Sequence, residues 1–231
     1  MRPGRRVIAI DGPAASGKST TAAAVAARLG FVHLNSGLLY RALTWKSVAE
    51  GWSPSDDGYD ARIRGLRIEL RGQGRTLVVL VDDDDPGDAL HGRAVAAGVS
   101  EVAGVAAVRE VVLARLRAAG AEFDLVCDGR DIGTTVFPEA DLKIFLIADP
   151  GERARRRLLD LGEEPSPAAV REETARLERR DAADSARELS PLRRAPDAVV
   201  IDTTGSPPEA VVERICDLAA RRGIVGGSTT S

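Results

Sequence analysis

Eight consecutive residues, Gly12-Pro13-Ala14-Ala15-Ser16-Gly17-Lys18-Ser19, fit the spacing G-x-x-x-x-G-K-[ST] without deviation. That spacing has a chemical reason. Glycines let the backbone wrap one anion so that successive N–H groups converge on it, and a following helix adds its positive N-terminus. The lysine then reaches the β- and γ-phosphates of a nucleoside triphosphate, and the Ser19 hydroxyl is placed to ligate Mg²⁺. The run follows a short apolar strand, Val7–Asp11, and opens an Ala-rich helix, Lys18–Leu29, with Gly30 as its stop. A strand before and a helix after separate this motif from a chance Gly/Ser turn. Residues 12–20 therefore read as a triphosphate site.

Three further clusters bring arginine to the ends of strand-like runs. They are Asn35-Ser36-Gly37-Leu38-Leu39-Tyr40-Arg41, then Asp128-Gly129-Arg130-Asp131-Ile132-Gly133-Thr134, then Glu152-Arg153-Ala154-Arg155-Arg156-Arg157. Guanidinium forks hold phosphates and carboxylates in two-pronged geometry. Arg153, Arg156 and Arg157 are spaced i, i+3, i+4 and share one helical face. Beyond the C-terminal strand ends is where an open α/β sheet forms its cleft. A guanine-selective switch would usually carry an N-K-x-D-like element, but Asn35 is the only Asn. A transport ATPase domain would need a longer chain and further signatures. The residues point to a phosphotransferase.

The elements that must position these groups alternate along the chain. Strand-like runs fall at Val7–Asp11, Phe31–Leu34, Leu125–Asp128, Leu142–Ile147 and Ala198–Asp202. Helical stretches at Leu38–Ala49, Val95–Ala118, Gly151–Leu161, Ala168–Ala186 and Pro208–Arg222 separate most of them. That order implies an α/β fold with a five-stranded parallel sheet covered on both faces. Residues 62–93 break the alternation. Leu66–Leu70 and Thr76–Val81 flank a Gly72-Gln73-Gly74 turn, which reads as a small antiparallel hairpin inserted in the core. The tail, residues 223–231, reads as frayed.

Composition bounds the class. The chain has 231 residues with a net charge of −3, which argues against coating long nucleic acid. Its 29 arginines against three lysines reflect either composition bias or a need for forks, and composition alone leaves that open. Two distant cysteines, Cys127 and Cys216, suggest no disulfide framework. No apolar run approaches a membrane span, and VIAI is too short for a signal-peptide core. The expectation is a cytoplasmic protein with no nucleic-acid or membrane partner.

Taken together, IDGPAASGKST, LNSGLLYRA, DGRDIGTTVFPEADLKIFL and RRDAADSAREL…PL resemble the bacterial cytidylate kinases, from about Val7 to Arg222. The resemblance implies a single nucleoside monophosphate kinase domain spanning 1–231, with core 7–60 and 95–222. It makes residues 62–93 a β-rich CMP-binding insertion and residues 151–165 an Arg-rich lid, in a monomer. ATP and CMP or dCMP would be the substrates, with Mg²⁺. Lys18, Arg153, Arg156 and Arg157 would neutralise the transferring phosphates. Ser36, Arg41, Arg130 and Arg187 would face the CMP end, Ser100, Arg109 and Asp131 would read cytosine, and Arg180 with Asp184 would hold the ribose. A carboxylate at Asp131 suits the exocyclic amine that uracil lacks.

The chain departs from the family pattern at two places. Leu90-His91-Gly92-Arg93 stands where an Ile-Arg-Thr-like stretch is common, with Arg93 a substitute from two residues along or the contact weakened. Ala15 stands where many relatives carry Gly. Among carboxylates, Asp128 ends a central strand and is the better magnesium candidate, Asp11 is a possible outer partner, and Asp82 reads as a solvated hairpin end. His33 and His91 read as structural or solvated. Two alternatives stay open: a small P-loop kinase for UMP or a non-nucleotide acceptor, and a nucleotide-binding regulator without transfer activity.

Overall fold

A computed structural model describes residues 5–224 of the chain. Its strands are β1 (Val7–Asp11), β2 (Val32–Asn35), β3 (Ile68–Gln73), β4 (Thr76–Val81), β5 (Leu125–Gly129), β6 (Leu142–Ile147) and β7 (Val199–Asp202). They form one sheet in the order β3-β4-β2-β5-β1-β6-β7, parallel throughout except for the β3–β4 pair. The helices are α1 (Lys18–Leu29), α2 (Ser36–Ala49), α3 (Tyr59–Gly65), α4 (Arg93–Val102), α5 (Ala106–Glu122), α6 (Pro150–Asp160), α7 (Pro167–Ser185) and α8 (Pro208–Arg221).

Alternation along β1 builds both layers of the core. Val7 and Ala9 enter one layer with Leu39 and Leu43 of α2 and Leu116 of α5. Ile8 and Ile10 enter the other with Val25 of α1 and Ile215 of α8. A strand buried on both faces needs the continuous apolar run that VIAI supplies. Helix α1 begins and ends where the sequence places it. Gly17 at φ 85 precedes it, and Gly30 at φ 73 closes it with its N–H on Ala26 O.

Four expectations need correction. The sheet has seven strands rather than five, because the hairpin extends it: β4 lies parallel to β2, with His33 opposite Thr76. This covers the open edge that β2 would otherwise present to solvent. The stretch expected as one helix from 95 to 118 is two, α4 and α5, separated at Ala103-Gly104-Val105. There Gly104 and Val105 donate to the carbonyls three residues back, tightening and ending the first helix. Helix α3 was not anticipated; it buries only Tyr59 and Ile63, too few for a periodic signal. Finally, the tail does not fray at 223. Gly223 at φ 68 turns the chain, and the Ile224 N–H returns to Ala219 O at 2.9 Å, which seats Ile224 in the core. Residues 225–231 lie outside the described residues.

The C-terminal ends of β1, β2, β5 and β7 all open on the same edge of the sheet, with α6 and α7 above it. That edge holds the cavity described next.

Candidate active site

A cavity of about 630 Å³ gathers almost every residue singled out above. Residues 14–20, Ser36, Arg41, Ser100, Arg109, Arg130, Asp131, Arg156, Arg157, Arg180, Asp184 and Arg187 line it. Gly12, Pro13 and Arg153 do not.

The loop after β1 explains its own residue types. A Cβ on Gly12 would lie 2.2 Å from Leu146 O, so the approach of β6 excludes any side chain there. Ala15 has φ 57, a left-handed conformation that costs a residue with a Cβ roughly 1–2 kcal/mol. A glycine at this position would avoid that strain. Lys18 is buried and folds back along the loop, its Nζ donating to Pro13 O at 2.5 Å. Burial, then the Arg130 charge, holds its pKa well below the ordinary lysine range, against the pull of Asp128, Asp181 and Asp11.

Beside the loop lies a corner of hard oxygen donors. Ser19 Oγ donates to Asp128 Oδ2 at 2.7 Å, and Asn35 Nδ2 donates to Ser19 Oγ at 2.9 Å. His33 Nε2 lies 2.8 Å from Asp128 Oδ1, and both side chains are buried. A hydroxyl plus one carboxylate fits Mg²⁺, which keeps several waters and needs few protein ligands. His33 thus fixes this carboxylate, a role the sequence did not show. Asp11 is not part of the corner: its two oxygens accept from the N–H groups of Ile132 at 2.8 Å and Gly133 at 2.7 Å. Asp82 pairs with Lys46 at the exposed end of the hairpin.

Positive charge collects at the other end. Among the described residues, Arg41, Arg157 and Arg180 line the cavity without a carboxylate partner. Burial and neighbouring guanidiniums lower the pKa of Arg41 and of Arg180. Asp184 lines the cavity beside Arg180 and also pairs with two arginines. Its Oδ2 accepts from Arg130 Nε at 3.0 Å and its Oδ1 lies 2.5 Å from Arg187, so it orders two forks. Deeper in, Arg109 stacks over Tyr40 at 5.7 Å and faces Asp131 at 3.9 Å, with both charged groups buried. Ser36 Oγ donates to Asp128 O at 2.8 Å, and Arg41 donates to Leu90 O at 2.9 Å. His91 and Arg93 are exposed and stand outside the cavity lining.

The arginines of α6 share the helical spacing expected of them but take different partners. Arg157 lines the cavity, and Arg156 donates to Thr203 Oγ1 at 3.0 Å and Thr203 O at 2.7 Å. Arg153 is buried against the loop, donating to Ala14 O at 3.0 Å. Its position on the helix faces the loop, so packing rather than phosphate sets its direction.

Asp11 supplies a pH prediction. Burial raises its pKa to about 6, against the opposing hydrogen bonds from Gly133 and Ile132. A raised folded-state value means the unfolded carboxyl gives up its proton first. Stability therefore falls as pH rises from about 4 to about 6, by about 3 kcal/mol, and stays lower above that. Asp11→Asn is expected to flatten this part of the curve, read as urea midpoints from pH 4 to 7. Parallel curves for the two proteins would refute it.

The geometry is that of a nucleotide phosphotransferase, and the family model for cytidylate kinase matches residues 8–221. The chain belongs to the cytidylate kinase family. It is 46% identical over 220 residues to a cytidylate kinase of Geobacillus kaustophilus, covering 94% of this chain and 98% of that one. It is 43% identical to the bifunctional pantoate ligase/cytidylate kinase of a Synechococcus species, where it spans 44% of that protein's length. Among solved structures, an uncharacterized protein from Eubacterium ventriosum aligns over 94% of this chain and 99% of its own, with a TM-score of 0.52 and 11% identity. That likeness speaks for the α/β fold alone.

Proposed function

We propose that the cavity transfers the γ-phosphoryl group of ATP to CMP or dCMP, giving CDP or dCDP and ADP. One observation carries the reading: a phosphate-binding loop and a buried carboxylate–guanidinium pair share one cavity with three guanidiniums that have no carboxylate partner among the described residues. ATP places its phosphates on residues 12–20, its adenine reaching toward Leu159, Pro208 and Val211. CMP places its phosphate among Arg41, Arg130 and Arg187, its ribose near Arg180, and its base between Ser100, Arg109 and Asp131. Guanidiniums lowered in pKa by burial and then by one another gain from a bound dianion, which offsets their mutual repulsion.

The reaction needs no protein nucleophile. An oxygen of the CMP phosphate forms the new P–O bond in line with the bond that breaks, and ADP leaves with that electron pair. Lys18, Arg156 and Arg157 stabilise the charge on the equatorial and leaving oxygens. Ser19 and Asp128 are the residues that would hold Mg²⁺, which when bound neutralises phosphate charge. Movement of α6 and α7 over the cavity would exclude the water that otherwise hydrolyses ATP. Both substrates draw their contacts from one chain, which suits action as a monomer. No helix among the described residues is long and apolar enough to cross a membrane.

A coupled ADP-release assay across CMP, dCMP, UMP and AMP tests the reading. CMP or dCMP is expected to give the highest kcat/KM. Preference for UMP or AMP would sink the base assignment, and ATP binding without CMP-stimulated turnover would favour a regulator.

A further inference from the structure

Neither Asp181 nor Arg153 lines the cavity, yet together they hold both polar ends of Ala14, in the middle of the phosphate-binding loop. The Ala14 N–H donates to Asp181 Oδ1 at 2.9 Å, and Arg153 NH1 donates to Ala14 O at 3.0 Å. Arg153 also bonds Asp181 Oδ2 directly. Arg153 is buried, and its Nε has no hydrogen-bond partner among the described residues. Ala14 packs here with Ala154 of α6 and Leu177 of α7 in a small apolar cluster of its own.

The consequence follows from peptide geometry. In a trans peptide the carbonyl and the next N–H point in opposite directions, and no cis bond occurs among the described residues. Asp181 pulls the Ala14 N–H outward, so the Pro13 carbonyl of the same plane faces inward, where it accepts from Lys18 Nζ at 2.5 Å. Arg153 pulls the Ala14 carbonyl outward, so the Ala15 N–H of that plane turns toward the cavity, which Ala15 lines. Ala15 is itself the residue held at φ 57. Two successive loop planes are thus set from outside the cavity.

Helix α7 divides the labour within one turn. Asp184 orders Arg130 and Arg187 at the acceptor end, whereas Asp181 reaches the donor loop. We propose that Asp181, with Arg153, is the positioning pair of the phosphate-binding loop. It fixes two loop peptides, and thereby triphosphate affinity, without touching either substrate. The proposal rests on the reading that ATP occupies the loop.

Two variants test it, both in the full chain. Asp181→Asn keeps an oxygen for the Ala14 N–H but loses the charge. Asp181→Leu with Arg153→Met replaces the pair by apolar groups, so that no uncompensated buried charge remains to unfold the protein. The double variant is expected to raise KM for ATP by about tenfold or more, with the Asn variant intermediate and KM for CMP within about twofold. ADP affinity by calorimetry is expected to fall in parallel. A merely structural pair would instead lower Tm and weaken both substrates alike. ATP KM changed by less than about threefold in both variants, or an equal rise for CMP, overturns the proposal. Should the double variant fail to fold, the Asn variant decides alone on the same criteria. Wild-type protein that binds neither ATP nor ADP would sink the donor-site reading itself, whereas normal wild-type binding with unchanged variants sinks only the positioning pair.

Discussion

Lys18→Ala is expected to lower kcat by about 10²- to 10³-fold and to leave the substrate-free protein at least as stable as the parent. The two effects have one cause. The Lys18 amine is buried between a loop carbonyl and a serine hydroxyl, with the Arg130 charge nearby. Burial holds its pKa well below the ordinary lysine range, so the fold disfavours the charged amine relative to the unfolded chain. Stability then rises with pH between the folded-state value and the ordinary lysine value, and at neutral pH the amine is a burden on the fold. Only phosphate oxygens that gain charge in the transition state make that position favourable. Truncation therefore removes a catalytic interaction and relieves a desolvation penalty together, as expected where function is retained against stability. Single-turnover kinetics with saturating ATP and CMP read the first effect, and urea midpoints of the apo protein read the second. A kcat within about tenfold of wild type would mean that another group carries the charge.

The loop was legible in the sequence because everything it needs is local. Eight residues set the turn, a strand precedes it and a helix follows, and the structure starts α1 at Lys18 and caps it at Gly30. The residues that were missed act over distance. His33 meets Asp128 from 95 positions away, and Asp181 meets Ala14 from 167. No spacing rule reaches that far, and a lone histidine or aspartate carries no periodic signal. Arg153 shows a second limit. Its i, i+3, i+4 relation to Arg156 and Arg157 is correct as helix geometry, but helical phase does not say which side of α6 meets the loop. The width of the sheet failed for a similar reason. The hairpin was readable from its Gly-rich turn, while its attachment to β2 rests on one residue pair, His33 opposite Thr76.

The buried pair proposed to read the base, Arg109 and Asp131, leads to the second large effect. Asp131 is buried, faces Arg109 at 3.9 Å, and Arg109 rests on the Tyr40 ring. The contact with that ring restrains the guanidinium beside Asp131. Cytosine offers an amine that a carboxylate accepts, whereas uracil puts an oxygen at the same point and meets like polarity. Discrimination therefore contains a repulsive part. Asp131→Asn removes it, since the amide can turn its NH₂ toward uracil. The CMP-to-UMP ratio of kcat/KM is expected to fall by about 10- to 100-fold, the size of one good base contact. Burial raises the Asp131 pKa, against the Ser190 hydroxyl and the Arg109 and Arg187 charges. Protonation on acidification makes the wild-type side chain neutral, able to donate as the amide does. Wild-type selectivity is thus expected to decline as pH falls through that raised value, while the Asn variant stays flat. Competition assays with both nucleotides at several pH values measure the ratio directly. An unchanged ratio in the variant would move cytosine recognition away from Asp131, to Ser100 or Arg109, and leave the phosphate end of the cavity untouched.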